Sequence, residues 1–230
     1  MKRIATILLG TVVTVAFASS AFAAPRVPQV SVVGGSLQGY FNGVGETINV
    51  LTDQQDISNW ATTVSGNSTF SLMIELTGNA ASNSIGIYNA GVPAPTLYQV
   101  FPGAAATDWF ATVAFRNFPT RVVVNLFDNN AALQGTTTYL GADRTNFGYY
   151  LQGPGGTFYS QDYRNGGNAQ ALVYPGHGIN AGQWWLAFED ASVTGGSDQD
   201  YDDAVLFLES VNESTPVSTT TWGQLKTRIR

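Results

Sequence analysis

Six carboxylates occur in the fifteen residues from Glu189 to Asp203, a segment that contains no cationic side chain. No Lys or Arg lies between Arg164 and Lys226, so neighbours in the sequence supply no counter-charge. Carboxylates this close together repel one another and raise one another's pKa. A hard cation relieves the repulsion, and Ca²⁺ takes oxygen ligands from loops that can fold around it. The segment therefore predicts a metal site, with Ca²⁺ as the expected ion.

These acidic residues lie on both sides of a turn between two predicted strands. Residues 184–188 form an apolar run that ends at the first two carboxylates, and residues 204–211 form another that begins after the last one. The Gly195-Gly196-Ser197 sequence between them favours a chain reversal. We expect carboxylates from the two neighbouring strand ends to converge on one ion.

The spacing of Asp198, Asp200 and Asp202, with Glu209 twelfth in the count, imitates an EF-hand loop. The sixth position of that loop needs Gly for a sharp turn, and here it is Asp203. The residues that follow are apolar and indicate a buried strand rather than a loop and helix. We therefore predict no EF-hand.

The strand pattern indicates an all-β protein. Short apolar runs rich in Val, Thr, Tyr, Phe and Trp alternate with clusters of Gly, Asn, Pro and Ser, which is typical of β-sandwiches. Thirteen candidate strands begin with residues 29–33 and 47–51 and end with residues 204–211, and helical periodicity is almost missing. We predict a two-sheet antiparallel β-sandwich, jelly-roll-like, with a short amphipathic tail at the C-terminus.

The chain divides into five predicted segments. Residues 1–23 read as a secretory signal peptide, because a basic start precedes an apolar run and an Ala-x-Ala cleavage signal. Residues 24–145 and 146–211 are two parts of one sandwich, and residues 212–221 are a polar linker. Residues 222–230 would form a basic amphipathic helix that docks on the domain, lies on a membrane surface or serves as an export or attachment signal. The alternative is a frayed terminal tail.

Composition restricts the partners and the compartment. The formal net charge is −6, so nucleic acid is not an expected partner. The chain contains no cysteine, so stability in an exported protein must come from the core rather than from disulfides. The mature chain has no run that is long and apolar enough to span a bilayer. We expect a secreted or cell-surface protein.

Four stretches of the second half carry a family resemblance. They are Phe147-Gly-Tyr-Tyr-Leu151, Gly155-Gly-Thr-Phe-Tyr-Ser160, Trp185-Leu-Ala-Phe-Glu-Asp190 and Gly196-Ser-Asp-Gln-Asp-Tyr-Asp-Asp-Ala-Val205. Together they resemble the C-terminal domain of unknown function numbered 4114, which occurs in secreted and surface bacterial proteins. The chain departs from that pattern mainly at Asp202, where Asn is usual.

The resemblance implies a Ca²⁺-binding β-sandwich module without established catalysis. Carried over position by position, it assigns the metal ligands as Glu189, Asp190, Asp198, Asp200 and Asp203. Tyr201 is expected to pack and anchor the loop rather than to bind the ion.

Three classes of function stay open. The first is a non-catalytic module that binds a glycan or another cell-surface component, or that acts in adhesion. In such a module, exposed aromatic side chains would serve as platforms for sugar rings. The candidates are Trp60, Tyr149, Tyr150, Tyr163 and Trp184. The second is a purely structural extracellular component, which burial of those aromatics would favour. The third is a glycoside hydrolase that uses two of the clustered carboxylates as acid and base.

Overall fold

The structure is a computed structural model that describes residues 29–63, 65–74 and 78–214. Within these ranges it contains thirteen strands and one α-helix, α1 (Gly35–Gly43). The strands are β1 (Trp60–Thr62), β2 (Asn67–Ile74), β3 (Ser84–Asn89), β4 (Leu97–Phe101), β5 (Phe110–Asn117), β6 (Thr120–Phe127), β7 (Leu133–Leu140), β8 (Phe147–Gly153), β9 (Gly156–Tyr159), β10 (Ala171–Pro175), β11 (Trp184–Phe188), β12 (Ala204–Glu209) and β13 (Val211–Glu213). Short 3₁₀ helices span Ala80–Ser82, Asp162–Asn165 and Gly178–Asn180.

The strands form two sheets. The first has six strands in the order β13-β1-β8-β3-β4, with β9 paired to β8. The second has seven strands in the order β10-β11-β12-β2-β5-β6-β7. Every described pairing is antiparallel. The predicted all-β, two-sheet antiparallel sandwich is confirmed.

The main core lies between the sheets, because alternate side chains of each strand point to the same face. Trp60, Phe70 and Tyr149 form its aromatic centre and are at most 1% exposed. The ring of Tyr149 makes edge contacts with Trp60 at 4.8 Å and with Phe70 at 5.2 Å between centroids. Since Phe70 belongs to the second sheet and the other two to the first, these contacts join the two layers.

A second, smaller core lies on the outer face of β10, β11 and β12. Leu37 and Phe41 of α1 are fully buried there. The ring of Phe41 packs on Tyr174 at 5.4 Å and on Trp185 at 5.5 Å. The N-terminal segment therefore covers half of the outer face of the second sheet.

Residues 29–33 and 47–51 are not strands, so that part of the strand prediction is wrong. Their backbone groups bond to amide side chains instead of to a sheet ladder. Gln54 accepts from the Val30 N–H and donates to the carbonyls of Val30 and Val50. Gln38 donates to the Ile48 carbonyl and accepts from the Val50 N–H. The side chains of Gln38 and Gln54 thus supply hydrogen-bond partners for backbone groups that a neighbouring strand would otherwise pair.

The predicted last strand, residues 204–211, is divided at Ser210, which has a φ of 59°. β12 belongs to the second sheet and β13 to the first, so the chain crosses the sandwich at this residue. β13 also includes Asn212 and Glu213, which the composition had placed at the start of a linker.

The signal peptide predicted over residues 1–23 and the amphipathic tail predicted over residues 222–230 lie outside the described residues. In the described part of the chain, α1 is a nine-residue helix, and no helix has the length and apolar character of a membrane span.

Candidate metal centre

The acidic loop, residues 189–203, connects β11 to β12. The two strands are antiparallel neighbours, and their last pair is Phe188 with Ala204. The loop therefore leaves and re-enters the second sheet at the same end, as the sequence predicted. Its interior turn is closed by the N–H groups of Gly195 and Ser197, which both donate to the Ser192 carbonyl.

Three carboxylates of this loop converge. Glu189, Asp198 and Asp200 each offer one oxygen, and these oxygens lie within 4.8 Å of one another. Glu189 is buried, Asp200 is half-buried and Asp198 is exposed. The cluster therefore runs from the end of the sheet to the surface, and its geometry could hold a metal ion.

Glu189 is the innermost member of this cluster. Its carboxylate accepts a hydrogen bond from the Ser197 hydroxyl and another, at 2.5 Å, from the Tyr201 N–H. Burial raises the pKa of the Glu189 carboxyl to about 7, although these two hydrogen bonds favour the ionised form. The negative charges of Asp203 and Asp200 raise it further. Without a cation, the site thus favours protonation of a group that is normally ionised at neutral pH.

Asp190 and Asp203, the other two predicted ligands, lie outside this three-oxygen cluster and bond across the base of the loop. The Asp190 N–H donates to Asp203 Oδ2 at 2.8 Å, and Asn83 Nδ2 donates to Asp190 Oδ2 at 2.9 Å. Burial raises the pKa of Asp203 to about 6, against the opposing effect of the Asp190 N–H. These hydrogen bonds join the two ends of the loop to each other. They also join the loop to Asn83, the residue just before β3.

Asp202, where the resemblance places a neutral residue, lies beside the three-oxygen cluster without belonging to it. It is 5% exposed and lies against Asp200. Burial raises the pKa of Asp200, and the charge of Asp202 raises it further. Strand alternation does not determine the directions of the Asp202 and Asp203 side chains, since β12 begins only at Ala204.

The N-terminal segment also contacts the acidic loop, which no pattern in the sequence predicted. The Gly34 N–H donates to the Gln199 carbonyl at 3.1 Å, and the Ser36 hydroxyl donates to Asp200 Oδ2 at 3.5 Å. Local sequence patterns do not predict this contact, because more than 160 residues separate Ser36 from Asp200.

Tyr201 anchors the loop, as its sequence context predicted. The side chain is 1% exposed and packs in the same apolar cluster as Leu37 and Trp185. Its hydroxyl donates to the Ala169 carbonyl at 2.8 Å. Both Tyr201 and Gln199 have positive φ values, 57° and 61°, so the backbone is left-handed on each side of Asp200. This conformation turns the chain sharply at the carboxylate.

The lone His177 contacts the N-terminal segment. Its Nδ1 is 2.8 Å from the Thr47 hydroxyl, and its backbone N–H donates to Glu46 Oε2. Glu46 is 4% exposed and also accepts from Asn180 and from the indole of Trp185. Its carboxylate thus joins the N-terminal segment to the loop between β10 and β11.

The aromatic candidates for sugar platforms are mostly internal. Trp60, Tyr149 and Tyr150 are at most 2% exposed, and Trp184 is half-buried. Tyr163 is 65% exposed, and the guanidinium of Arg164 lies 5.1 Å from its ring centroid. Glycan binding through a platform of all five rings is therefore not supported, and the burial of Trp60, Tyr149 and Tyr150 agrees with the expectation for a purely structural component.

Comparison with known proteins gives no relative, since no family model, curated protein or solved structure matches the chain.

Proposed function

We propose that the protein is an exported, non-catalytic β-sandwich module whose acidic loop binds Ca²⁺, and that it acts by binding a glycan or another cell-surface component. The observation that carries the metal site is the convergence of Glu189, Asp198 and Asp200 within 4.8 Å. Two oxygens that both bind Ca²⁺ at about 2.4 Å can be no more than about 4.8 Å apart, so this spacing admits a shared ion.

The chemistry of the donors supports Ca²⁺ over softer metals. The three side chains offer only carboxylate oxygen, and no Lys or Arg lies in the segment. Zinc and copper sites are built mainly on His and Cys, whereas Ca²⁺ takes six to eight oxygens from carboxylates, carbonyls, hydroxyls and water in flexible geometry. An irregular loop with one buried and one exposed carboxylate suits such a site better than the strict octahedron that Mg²⁺ requires.

The ion would hold three parts of the protein together. Glu189 continues from β11, Asp198 lies in the loop, and Asp200 contacts Ser36 at the start of α1. A cation bound to all three would connect the end of the second sheet to the segment that covers its outer face. The proposed role of the metal is therefore structural.

Hydrolysis of glycosides by the same carboxylates is the weaker candidate. Its one favourable observation is the raised pKa of Glu189, as a general acid requires. Glu189 is 0% exposed, however, and both its oxygens already accept hydrogen bonds from the loop. A general acid must reach the leaving-group oxygen of its substrate, and this side chain faces the loop interior.

Thermal unfolding in EDTA, in Ca²⁺ and in Mg²⁺ tests the proposal. A ligand that binds only the folded state at a hundred times its Kd stabilises it by about 2.7 kcal/mol, which for a chain of this size is a rise of roughly 5–10 °C. We expect this rise with Ca²⁺ and a smaller one with Mg²⁺. Asp198→Asn should remove most of it, and the control Asp56→Asn, at an exposed carboxylate elsewhere, should keep it. An equal midpoint in EDTA and Ca²⁺ would reject the metal site.

A further inference from the structure

The outer face of the second sheet has a second half, formed by β2, β5, β6 and β7. Along one row of paired residues this half carries Thr69, Thr112, Asn125 and Thr136. Thr69 pairs with Thr112, Thr112 with Asn125, and Asn125 with Thr136, so the row crosses four neighbouring strands. Side chains at directly paired positions lie on the same face about 5 Å apart. The row is therefore a continuous line of hydroxyl and amide groups.

Hydrogen bonds fix the centre of this polar row. Asn125 Nδ2 donates to Thr112 Oγ1 at 3.2 Å, and the Thr136 hydroxyl donates to Asn125 Oδ1 at 2.8 Å. Each group keeps further capacity to donate or accept, because an amide has two N–H groups and an oxygen has two lone pairs. The row is held in one arrangement while it can still bond to a ligand.

A groove of about 440 Å³ lies over this face. That volume is within the range of small-molecule sites, about 300–1,000 Å³. Its polar lining includes Asn67, Thr69, Thr112, Arg116, Asn125 and Ser210. Among the described residues that line it, Arg116 is the sole charged group. Arg116 Nη1 donates to Asn67 Oδ1 at 3.0 Å, which holds the guanidinium at the rim of the groove.

An aromatic pair continues the same face two residues further along β5 and β6. Phe110 and Phe127 are paired across the strands, and their rings stack with centroids 4.9 Å apart at an interplanar angle of 11°. By strand alternation they share the face of Thr112 and Asn125. Both rings are only half-buried. An apolar shelf thus adjoins a line of hydroxyls and amides.

We propose that this groove binds a neutral oligosaccharide, an inference that rests on the proposed role as a non-catalytic glycan-binding module. A sugar ring carries hydroxyls that both donate and accept, which matches the Thr, Ser and Asn side chains. Its C–H face suits an aromatic surface. The single cation in the lining and the net charge of −6 favour an uncharged ligand over a polyanion.

Glycan-array binding of the full chain, followed by calorimetry with a neutral oligosaccharide that binds, tests this site. We expect Thr112→Val and Asn125→Ala each to weaken binding at least tenfold, with little change from low to high salt. Thr157→Val is the matched control, since Thr157 is a half-buried threonine on β9 in the other sheet. Retained binding in both groove variants, binding of acidic glycans alone, or no glycan bound at millimolar concentration would overturn the proposal.

The Ca²⁺ midpoint shift, measured on the same samples, separates this inference from the metal site. A Ca²⁺-dependent rise in midpoint without glycan binding would reject the groove and leave the metal site intact. Glycan binding that is lost in the groove variants and unaffected by EDTA would support the groove and count against a role for the ion in it.

Discussion

Gly34 and Asp200 lie in contact at the junction of the N-terminal segment and the acidic loop. A Cβ atom on Gly34 would lie 2.3 Å from the Cβ of Asp200 and 2.9 Å from its Cα. Since part of that clash is with backbone, a rotamer change of Asp200 cannot relieve it. The close approach of the N-terminal segment to the acidic loop therefore depends on glycine at residue 34. The position of the Asp200 carboxylate in the candidate metal centre depends on it too.

Gly34→Ala should weaken Ca²⁺ binding without removing any carboxylate. Overpacking of this kind costs roughly 1–3 kcal/mol, which corresponds to roughly a 5- to 150-fold loss of affinity where it displaces a ligand. Calorimetric titration measures the change. Gly35→Ala is the matched control, because a Cβ there meets nothing within 4 Å. Equal affinity in the two variants would show that the position of Asp200 does not affect the site.

The stability of the metal-free protein should fall as the pH rises through the acidic range. Glu189 has a pKa of about 7 in the folded state and 4.5 as its ordinary value, so the folded state binds more protons between these values. The free energy of unfolding then decreases with pH in that window, by at most roughly 3 kcal/mol for this group. Asp203, raised from 3.8 to about 6, acts in the same direction.

Urea unfolding in EDTA at about pH 5 and about pH 7.5 measures this dependence. Glu189→Gln should reduce this dependence to the smaller part that Asp203 contributes, because the amide does not titrate. Added Ca²⁺ should stabilise the protein more at the higher pH, since the ion binds the ionised carboxylates. Greater stability in EDTA at the higher pH would contradict the proposed electrostatics of the loop.

Two buried tyrosines should respond oppositely to loss of the hydroxyl group. Tyr174 donates to the Val50 carbonyl at 3.0 Å, so Tyr174→Phe leaves that acceptor without this bond and should cost about 1 kcal/mol or more. The described residues offer the buried Tyr149 hydroxyl no hydrogen-bond partner, so Tyr149→Phe should be neutral or stabilising. Urea unfolding of both variants provides the comparison. Comparable destabilisation by both would mean that the Tyr149 hydroxyl is paired in solution.

Tyr201→Phe should loosen the acidic loop. It removes the hydrogen bond to the Ala169 carbonyl and should cost about 1 kcal/mol, with a matching loss of Ca²⁺ affinity. Tyr163→Phe serves as the control: it removes a tyrosine hydroxyl that bonds to Gln161, away from the acidic loop, and should leave the Ca²⁺ affinity unchanged. Unchanged stability and affinity in Tyr201→Phe would show that the ring, rather than its hydroxyl, holds the loop.

The sequence predicted the sandwich because short runs of Val, Thr, Tyr, Phe and Trp and the clusters of Gly, Asn, Pro and Ser between them are local signals of strands and turns. It missed α1, whose nine residues include Gly35, Gly39 and Gly43. Glycine disfavours helix, and this helix is stabilised by burial of Leu37 and Phe41 on the sheet. It also could not predict the crossing at Ser210, which depends on which sheet each strand joins.

Prediction of the acidic loop was limited by its irregular backbone. The strand ends located the carboxylates, and three of the five expected ligands converge. Which side chains converge depends on the left-handed residues Gln199 and Tyr201, since these turn the chain on both sides of Asp200. Alternation does not apply within an irregular loop, so the inward carboxylate of Glu189 and the bonded pair Asp190 and Asp203 could not be distinguished beforehand.

The most direct test of the central claim is calorimetric titration of Ca²⁺ into the EDTA-stripped and dialysed protein, beside the double variant Asp198→Asn, Asp200→Asn. We expect saturable binding with one ion per chain in the wild type and none in the double variant, whose folded state should be verified by circular dichroism. Absence of binding heat in the wild type at several temperatures, or the same isotherm in both proteins, would contradict a Ca²⁺ site at Glu189, Asp198 and Asp200.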